Sequence, residues 1–369
     1  MKKFALLFVA ALLAGSLPME ARGAALPAPS GLIRMVSLKR FSTEKDLQRL
    51  GKELESNSYI NGLVIGIDWS TIEPEQGKFD FAALDALIRV VDGANMDYKL
   101  GIAPGISCPQ YIYDGIKEKI YTSVVNPHRP NFGEKTIVPI PWDPFYNENL
   151  KRMFTTVFGR YRADKHFIAV NLSGANNIGT EWHLPRGPED IAQWEADSPD
   201  YKDKIRNFWM DMIDFIANLL QGKRMALEAS SDPVNGMNEQ ANAVVEYGIA
   251  HYPGQFMVQI DQLQGNSDQM TFDAFARLIR SKDRIIVGVQ SLANIAAAMS
   301  GKNMRQGSME MSVYNFLQSG ASYWELWDGD GADVATCKAV TDQIKFAEGL
   351  GLQGYKAWLI SKGKYIDPK

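Results

Sequence analysis

Histidine and cysteine are scarce, with four and two respectively in 369 residues. Cys108 and Cys337 are too few for a disulfide framework; an oxidising compartment would allow them one bridge, and otherwise they serve as two isolated small hydrophobes. His128, His166, His183 and His251 are scattered without an H-E-x-x-H pair or Cys/His spacing, so a dedicated zinc site is not expected. There is no G-x-S-x-G elbow, no G-x-x-x-x-G-K-[ST] loop and no G-x-G-x-x-G opening a helix, which removes the common serine-esterase and nucleotide-binding chemistries and implies no cofactor. The stretch DGDGAD, 328 to 333, resembles a calcium loop but lacks its ligand order, so no metal is expected there. Basic clusters are missing too. With 39 Lys+Arg against 43 Asp+Glu the net charge is −4, a poor match for nucleic acid. No apolar run approaches the roughly 18 residues that a membrane helix needs, so no span is expected.

The chain opens with Lys2 and Lys3, an apolar run from Phe4 to Ala14, and Ala21-Arg22-Gly23. That order is the charged, apolar and small-residue succession of a secretory signal peptide, here residues 1–23, and it points to export to the periplasm or beyond. A Pro/Ala linker, residues 24–31, precedes eight short, mostly apolar runs: Leu32–Leu38, Gly62–Ile67, Tyr98–Ala103, Phe167–Leu172, Arg224–Leu227, Gln255–Ile260, Arg284–Val289 and Ala321–Leu326. Apolar on both faces, they read as parallel strands buried between layers. Helical stripes separate them: Leu47, Leu50 and Leu54 behind Ser42/Thr43; Leu84, Leu87, Ile88 and Val91 between Asp80 and Gly93; and Phe208, Met212, Phe215, Ile216 and Leu219. Further helices are expected at 145–160, 236–250, 271–280, 303–318 and 333–349. Strand and helix alternating eight times predict an α/β fold, a (β/α)8 TIM barrel formed as one domain by residues 32–369. A doubly wound sheet, as in a periplasmic solute-binding protein, is the rival. Long loops follow strands two (68–78), three (104–144) and four (173–199). All three leave carboxyl ends of strands, where barrel enzymes keep their sites.

The indoles and carboxylates fall at the same rim. Trp69, Trp182, Trp324 and Trp327 lie at or just past strand ends, and Trp142 sits in the third long loop. An indole face can cover the apolar C–H surface of a sugar ring, and the competing role for each is simple core packing. Asp68, Glu181, Glu228, Asp261, Glu325 and Asp328 lie at the ends of strands two, four, five, six and eight. Glycoside hydrolysis needs one protonated and one ionised carboxyl. Glu181 in "TEWH" is the acid candidate, because Trp182 beside it would favour the protonated form; His183 would tune the site or contact substrate.

The stretch WSTIEPEQGKFDFAALDALI, residues 69 to 88, resembles the second-strand segment of (β/α)8 glycoside hydrolases of the retaining endoglucanase and β-galactosidase type. That resemblance implies an acid/base glutamate after strand four, where Glu181 stands, and a nucleophilic glutamate ending strand seven. Two positions depart from it. Thr180 precedes Glu181 where the family has Asn, and strand seven reads VGVQSLAN, with Gln290 near the nucleophile's place. An amide cannot attack a sugar, so another carboxylate must act: Glu325, flanked by Trp324 and Trp327, or failing that Glu228. The expected site is thus Glu181 and Glu325, with Asp68, Trp69, Trp142, Trp182, His183, Gln290, Trp327 and Asp328 around the carbohydrate. The alternative is a carbohydrate-binding barrel without catalysis.

Overall fold

The computed structural model describes residues 26–117, 119–123, 132–174, 187–229, 236–301 and 305–368. Its ten strands are β1 (Gly31–Ser37), β2 (Ile60–Asp68), β3 (Asp97–Ala103), β4 (Lys119–Ser123), β5 (Lys135–Pro139), β6 (Phe167–Leu172), β7 (Arg224–Glu228), β8 (Phe256–Leu263), β9 (Ile286–Ser291) and β10 (Tyr323–Leu326). Eight of them close into a barrel in the order β1-β10-β9-β8-β7-β6-β3-β2, every neighbouring pair parallel. Each apolar run of the sequence is one of these barrel strands. The closed sheet with helices between its strands is a (β/α)8 barrel in a single domain, and it overturns the doubly wound alternative.

The helices form where the stripes predict them. Thr43 caps Glu44–Ser56 by accepting the Asp46 N–H, and Leu50 and Leu54 are buried on its inner face. In Ala82–Gly93 all four stripe residues, Leu84, Leu87, Ile88 and Val91, are buried. Two ends move for identifiable reasons. The helix expected from 303 begins only at Met309, because Ser308 caps it, accepting from the Met311 N–H. The last helix continues to Ser361, broken by Gly351 at φ 67°, a left-handed conformation that glycine tolerates and that lets a second helical piece follow the first.

The 104–144 segment is not a plain loop. It carries a short helix, Gln110–Gly115, and the antiparallel pair β4–β5, and it ends at Asp143, which caps the helix Pro144–Tyr161. Ser123 fastens the hairpin to the helix Pro188–Asp197 through its N–H and hydroxyl, both donated to the Asp190 carboxylate at 2.6 and 3.0 Å. Both cysteines are buried and free, so no bridge joins them. Among the described residues no helix is long and apolar enough to cross a membrane.

Outward-facing strand residues join the helices in one large core. Inside the barrel two small apolar clusters form a floor: Ile33, Val64 and Tyr323, and Ile168, Ala169, Ala226 and Met257, both touching Ile286. The polar inward positions lie beyond this floor and define the candidate site.

Candidate active site at the carboxyl end of the barrel

Strand alternation turns Lys99, Asn171, Glu228, Gln259, Asp261, Gln290 and Glu325 inward, and all are buried. They sort into two groups. In the first, Lys99 Nζ lies 2.6 Å from Glu325 Oε1 and 2.9 Å from Gln259 Oε1. Gln259 Nε2 donates to Glu325 Oε2 at 2.9 Å and to Asp261 Oδ1 at 2.8 Å, and the Tyr323 hydroxyl donates to Gln259 Oε1 at 2.8 Å. The Tyr323 ring lies against Gly288, where any Cβ would meet it at 2.0 Å, so glycine in β9 makes room for the ring. Burial works against the Lys99 charge, but the Glu325 carboxylate beside it outweighs that and holds the lysine above its ordinary pKa.

This ion pair alters the reading of Glu325. The side chain does point into the barrel, but it is 0% exposed and both oxygens are engaged. A carboxylate locked to an ammonium in this way is charge-compensated within the barrel and has no surface to offer a sugar.

The second group lies higher. Glu228 ends β7 and accepts a short hydrogen bond from Asn171 Nδ2 on the adjacent β6. Ser173 stands just past the end of β6 and is fully buried. Asn171 Oδ1 and Ser173 Oγ are buried without a hydrogen-bond partner. Gln290 sits beside Glu325 in the β9–β10 register, its amide turned inward near the end of β9. From behind the barrel Arg277 donates to the Ala229 carbonyl at 2.5 Å, gripping the chain directly after Glu228. Burial lowers the pKa of that guanidinium to about 10, and the nearby cation Arg280 pushes the same way.

The indoles divide. Trp327, 38% exposed at the end of β10, donates its N–H to the Ser291 carbonyl at 2.9 Å, which fixes the ring while leaving surface free. Trp324 points outward, stacks on Phe316 and gives its N–H to Ser291 Oγ at 2.8 Å. Trp69, expected as a sugar platform, is fully buried: its N–H goes to Glu73 Oε2 at 2.8 Å, and Tyr111 and Tyr146 pack around it. Glu73 also accepts from the Gly77 N–H and pairs with Arg152, so the Trp and Ile-Glu-Pro turn is a structural knot behind the rim. Trp142 packs edge-on against Trp194 with the Lys204 ammonium over its ring, which leaves it little face for a ligand.

Asp68 closes β2 and accepts from Ser107 Oγ at 2.9 Å, remaining partly accessible. Asp328 turns away to pair with Arg34 and Arg40, so it anchors β1 to the segment after β10 instead of facing a ligand. Its neighbours in DGDGAD are also occupied. Asp330 accepts the N–H groups of Ile295 and Ala296, and Asp333 caps the last helix. Glu181, Trp182 and His183 lie outside the described residues. The sequence reading missed Lys99, Asn171, Ser173 and Gln259; Lys99 inside the apolar run YKLGIA was the available signal.

A family model described as β-galactosidase matches residues 43–209. The match takes in β2, β3 and β6 and stops before Glu228, Gln290 and Glu325. Among curated proteins none matches the chain. Solved structures of similar fold include the β-galactosidase of the psychrophilic Marinomonas ef1, at 14% identity and a TM-score of 0.52 over 87% of this chain and 60% of that one. This chain therefore spans under two thirds of that enzyme's length. A glycosylated endo-β-1,4-xylanase of glycoside hydrolase family 10 from Gloeophyllum trabeum aligns at 13% identity and a TM-score of 0.50, over 81% of this chain and 84% of that one. Identities this low speak for the fold alone. In its barrel, and in sequence over residues 43–209, the chain resembles the (β/α)8 glycoside hydrolases.

Proposed function

We propose that the protein is an exported glycoside hydrolase acting on a poly- or oligosaccharide at the carboxyl end of the barrel. The observation that carries this reading is the β-galactosidase-type match across the strands that build one side of a mouth lined with carboxylates and amides. Glu181, which follows the fourth barrel strand in sequence, supplies the proton to the leaving oxygen. With Glu325 tied to Lys99, the ionised partner comes from the other inward carboxylates, Glu228 and Asp261. Trp327 lends an apolar face to the sugar ring, and Asp68 and Gln290 give it polar contacts. Export rests on the Lys2–Gly23 pattern.

A second reading has one specific observation behind it. Gln290 is an amide on the strand whose end supplies the nucleophile in the enzymes this chain resembles, and a barrel without catalysis would bind glycan and leave it intact. Product release from a panel of polysaccharides and aryl glycosides, measured for wild type and Glu181→Gln, separates the two. Turnover that collapses in the variant supports the hydrolase. Glycan binding without product from either protein supports the receptor, and neither binding nor product defeats both.

A further inference from the structure

Going beyond the hydrolase reading and independent of it, we propose that the cleft between the helices Asn238–His251 and Asp273–Ser281, on the outside of the barrel, binds a small doubly charged oxyanion of the phosphate or sulfate type. The cleft has a volume of about 400 Å³ and is lined by Asn242, Val245, Glu246, Arg277, Arg280 and Ser281. Arg277 is 1% exposed, and its three nitrogens reach neutral oxygens: Nε donates to Asn242 Oδ1 at 2.9 Å, Nη1 to the Ala229 carbonyl, and Nη2 to Asn238 Oδ1 at 3.5 Å. Arg280, one turn further along the same helix, donates to the same Asn242 oxygen at 3.1 Å. Two guanidiniums therefore converge on one neutral atom. Among the described residues neither makes an ion pair with a carboxylate. A fully buried charge is normally paired, because neutral acceptors do not make up for the water it has lost.

The nearby carboxylates are already committed. Glu246 lines the cleft, but both its oxygens accept from Arg284 Nη1, at 2.9 and 2.8 Å. Asp273, at the start of the helix that carries Arg277, accepts from Asn238 Nδ2 and favours the Arg277 charge without pairing with it. What remains is two cations side by side, one buried and one exposed at the entrance. A guanidinium has five N–H donors in a planar fork, and neither Arg277 nor Arg280 uses all of its own here, so both keep donors that can close on the oxygens of one anion. Phosphate and sulfate match this arrangement: two charges balance two guanidiniums, and a tetrahedral group offers an edge of oxygens to each fork. A singly charged carboxylate would leave one cation uncompensated. The cleft volume lies within the range of small-molecule sites, about 300–1,000 Å³, so the oxyanion fits free or as an ester on a sugar.

The test is calorimetric titration of the full chain with inorganic phosphate at about pH 7.5, where the ion is mostly doubly charged, with sodium chloride holding the ionic strength fixed. A single phosphate should bind per chain with a Kd of about 0.1–1 mM, weakening as salt is raised. Sulfate should compete for the same place, and acetate should bind far more weakly. Arg280→Gln, at an exposed position, should weaken phosphate binding about tenfold. Glu246→Gln should tighten it about threefold, because a negative charge leaves the lining. Opposite signs in the two variants are not what a general loss of packing would produce. Glucose 6-phosphate distinguishes the sources: affinity no better than that of inorganic phosphate assigns the cleft to the free ion, and tighter binding assigns it to a phosphate ester. Phosphate that binds no better than acetate at equal ionic strength overturns the proposal, as does an Arg280→Gln protein that binds phosphate as tightly as wild type. Neither result bears on whether the barrel cleaves a glycan.

Discussion

Replacing Lys99 with Met leaves the Glu325 carboxylate at the centre of the barrel, 0% exposed, with Gln259 Nε2 as its remaining donor. Breaking one side of a buried ion pair typically costs about 3–5 kcal/mol. The figure can be worked independently. A lone buried carboxyl takes up a proton, and holding a group with an ordinary pKa of about 4.3 in its neutral form at pH 7 costs about 4 kcal/mol, at about 1.4 kcal/mol per pH unit. At pH 5 the same step costs about 1 kcal/mol. For a barrel of this size 4 kcal/mol corresponds to a Tm about 6 °C lower. Glu325→Gln strands the ammonium instead, and its penalty runs the other way: about 4–5 kcal/mol at pH 7, falling to about 2 kcal/mol at pH 9 as the lysine can give up its proton. Lys99→Met combined with Glu325→Leu removes both charges and should return to within about 1 kcal/mol of wild type. Urea unfolding followed by circular dichroism at pH 5, 7 and 9 reads all three. A Lys99→Met penalty that stays the same between pH 7 and pH 5 would refute the reasoning, because it would mean that no buried carboxyl is left uncompensated.

Two further outcomes follow from the rim and from the tail. Trp327→Ala should weaken glycan binding about tenfold by titration calorimetry while moving Tm by less than about 2 °C, because the ring is partly exposed and only its edge is tied to Ser291. Asp268 anchors the chain end: burial alone would raise its pKa, but hydrogen bonds from Gln318, the Met270 N–H and the Tyr365 hydroxyl, with Lys356 nearby, hold it below the ordinary carboxylate value. A depressed folded-state pKa contributes stability that is present above the ordinary value near 3.8 and is lost as pH falls through the lower one. Asp268→Asn should therefore be less stable than wild type at pH 7, with the two converging below about pH 3 in acid unfolding curves; a constant gap would count against the assignment.

The barrel was legible because its strands must be apolar on their outward faces, where the helices pack, and because helix stripes repeat on a different period. Leu84, Leu87, Ile88 and Val91 announce one such stripe, and all four are buried where the pattern puts them. The β4–β5 hairpin was hidden by the surrounding prolines, which mark turns whether or not strands lie between them. The rim tryptophans mislead for a physical reason. A strand end is where a ligand meets the barrel, but it is also where the helix layer turns over the sheet, and both places favour a large flat ring with one donor. Trp327 keeps an exposed face at the rim while Trp69 is buried under the helix layer, where Glu73, four residues on, captures its N–H.

The inward polar residues were harder to read because each strand contributes only one or two. Gln259 and Asp261 alternate in FMVQIDQL, and Tyr323 and Glu325 alternate in YWEL. Period-two alternation over so few residues is indistinguishable from an apolar run with occasional polar members until the strands are laid side by side. Once they are, a division of labour follows from charge balance. A carboxylate with a lysine beside it is neutralised and can be fully buried, as Glu325 is, whereas Glu228 takes a hydrogen bond from the amide of Asn171 on the neighbouring strand. The partner laid beside each acid, Lys99 for Glu325 and Asn171 for Glu228, comes from another strand in both cases, which is why neither pairing could be read along a single run of sequence.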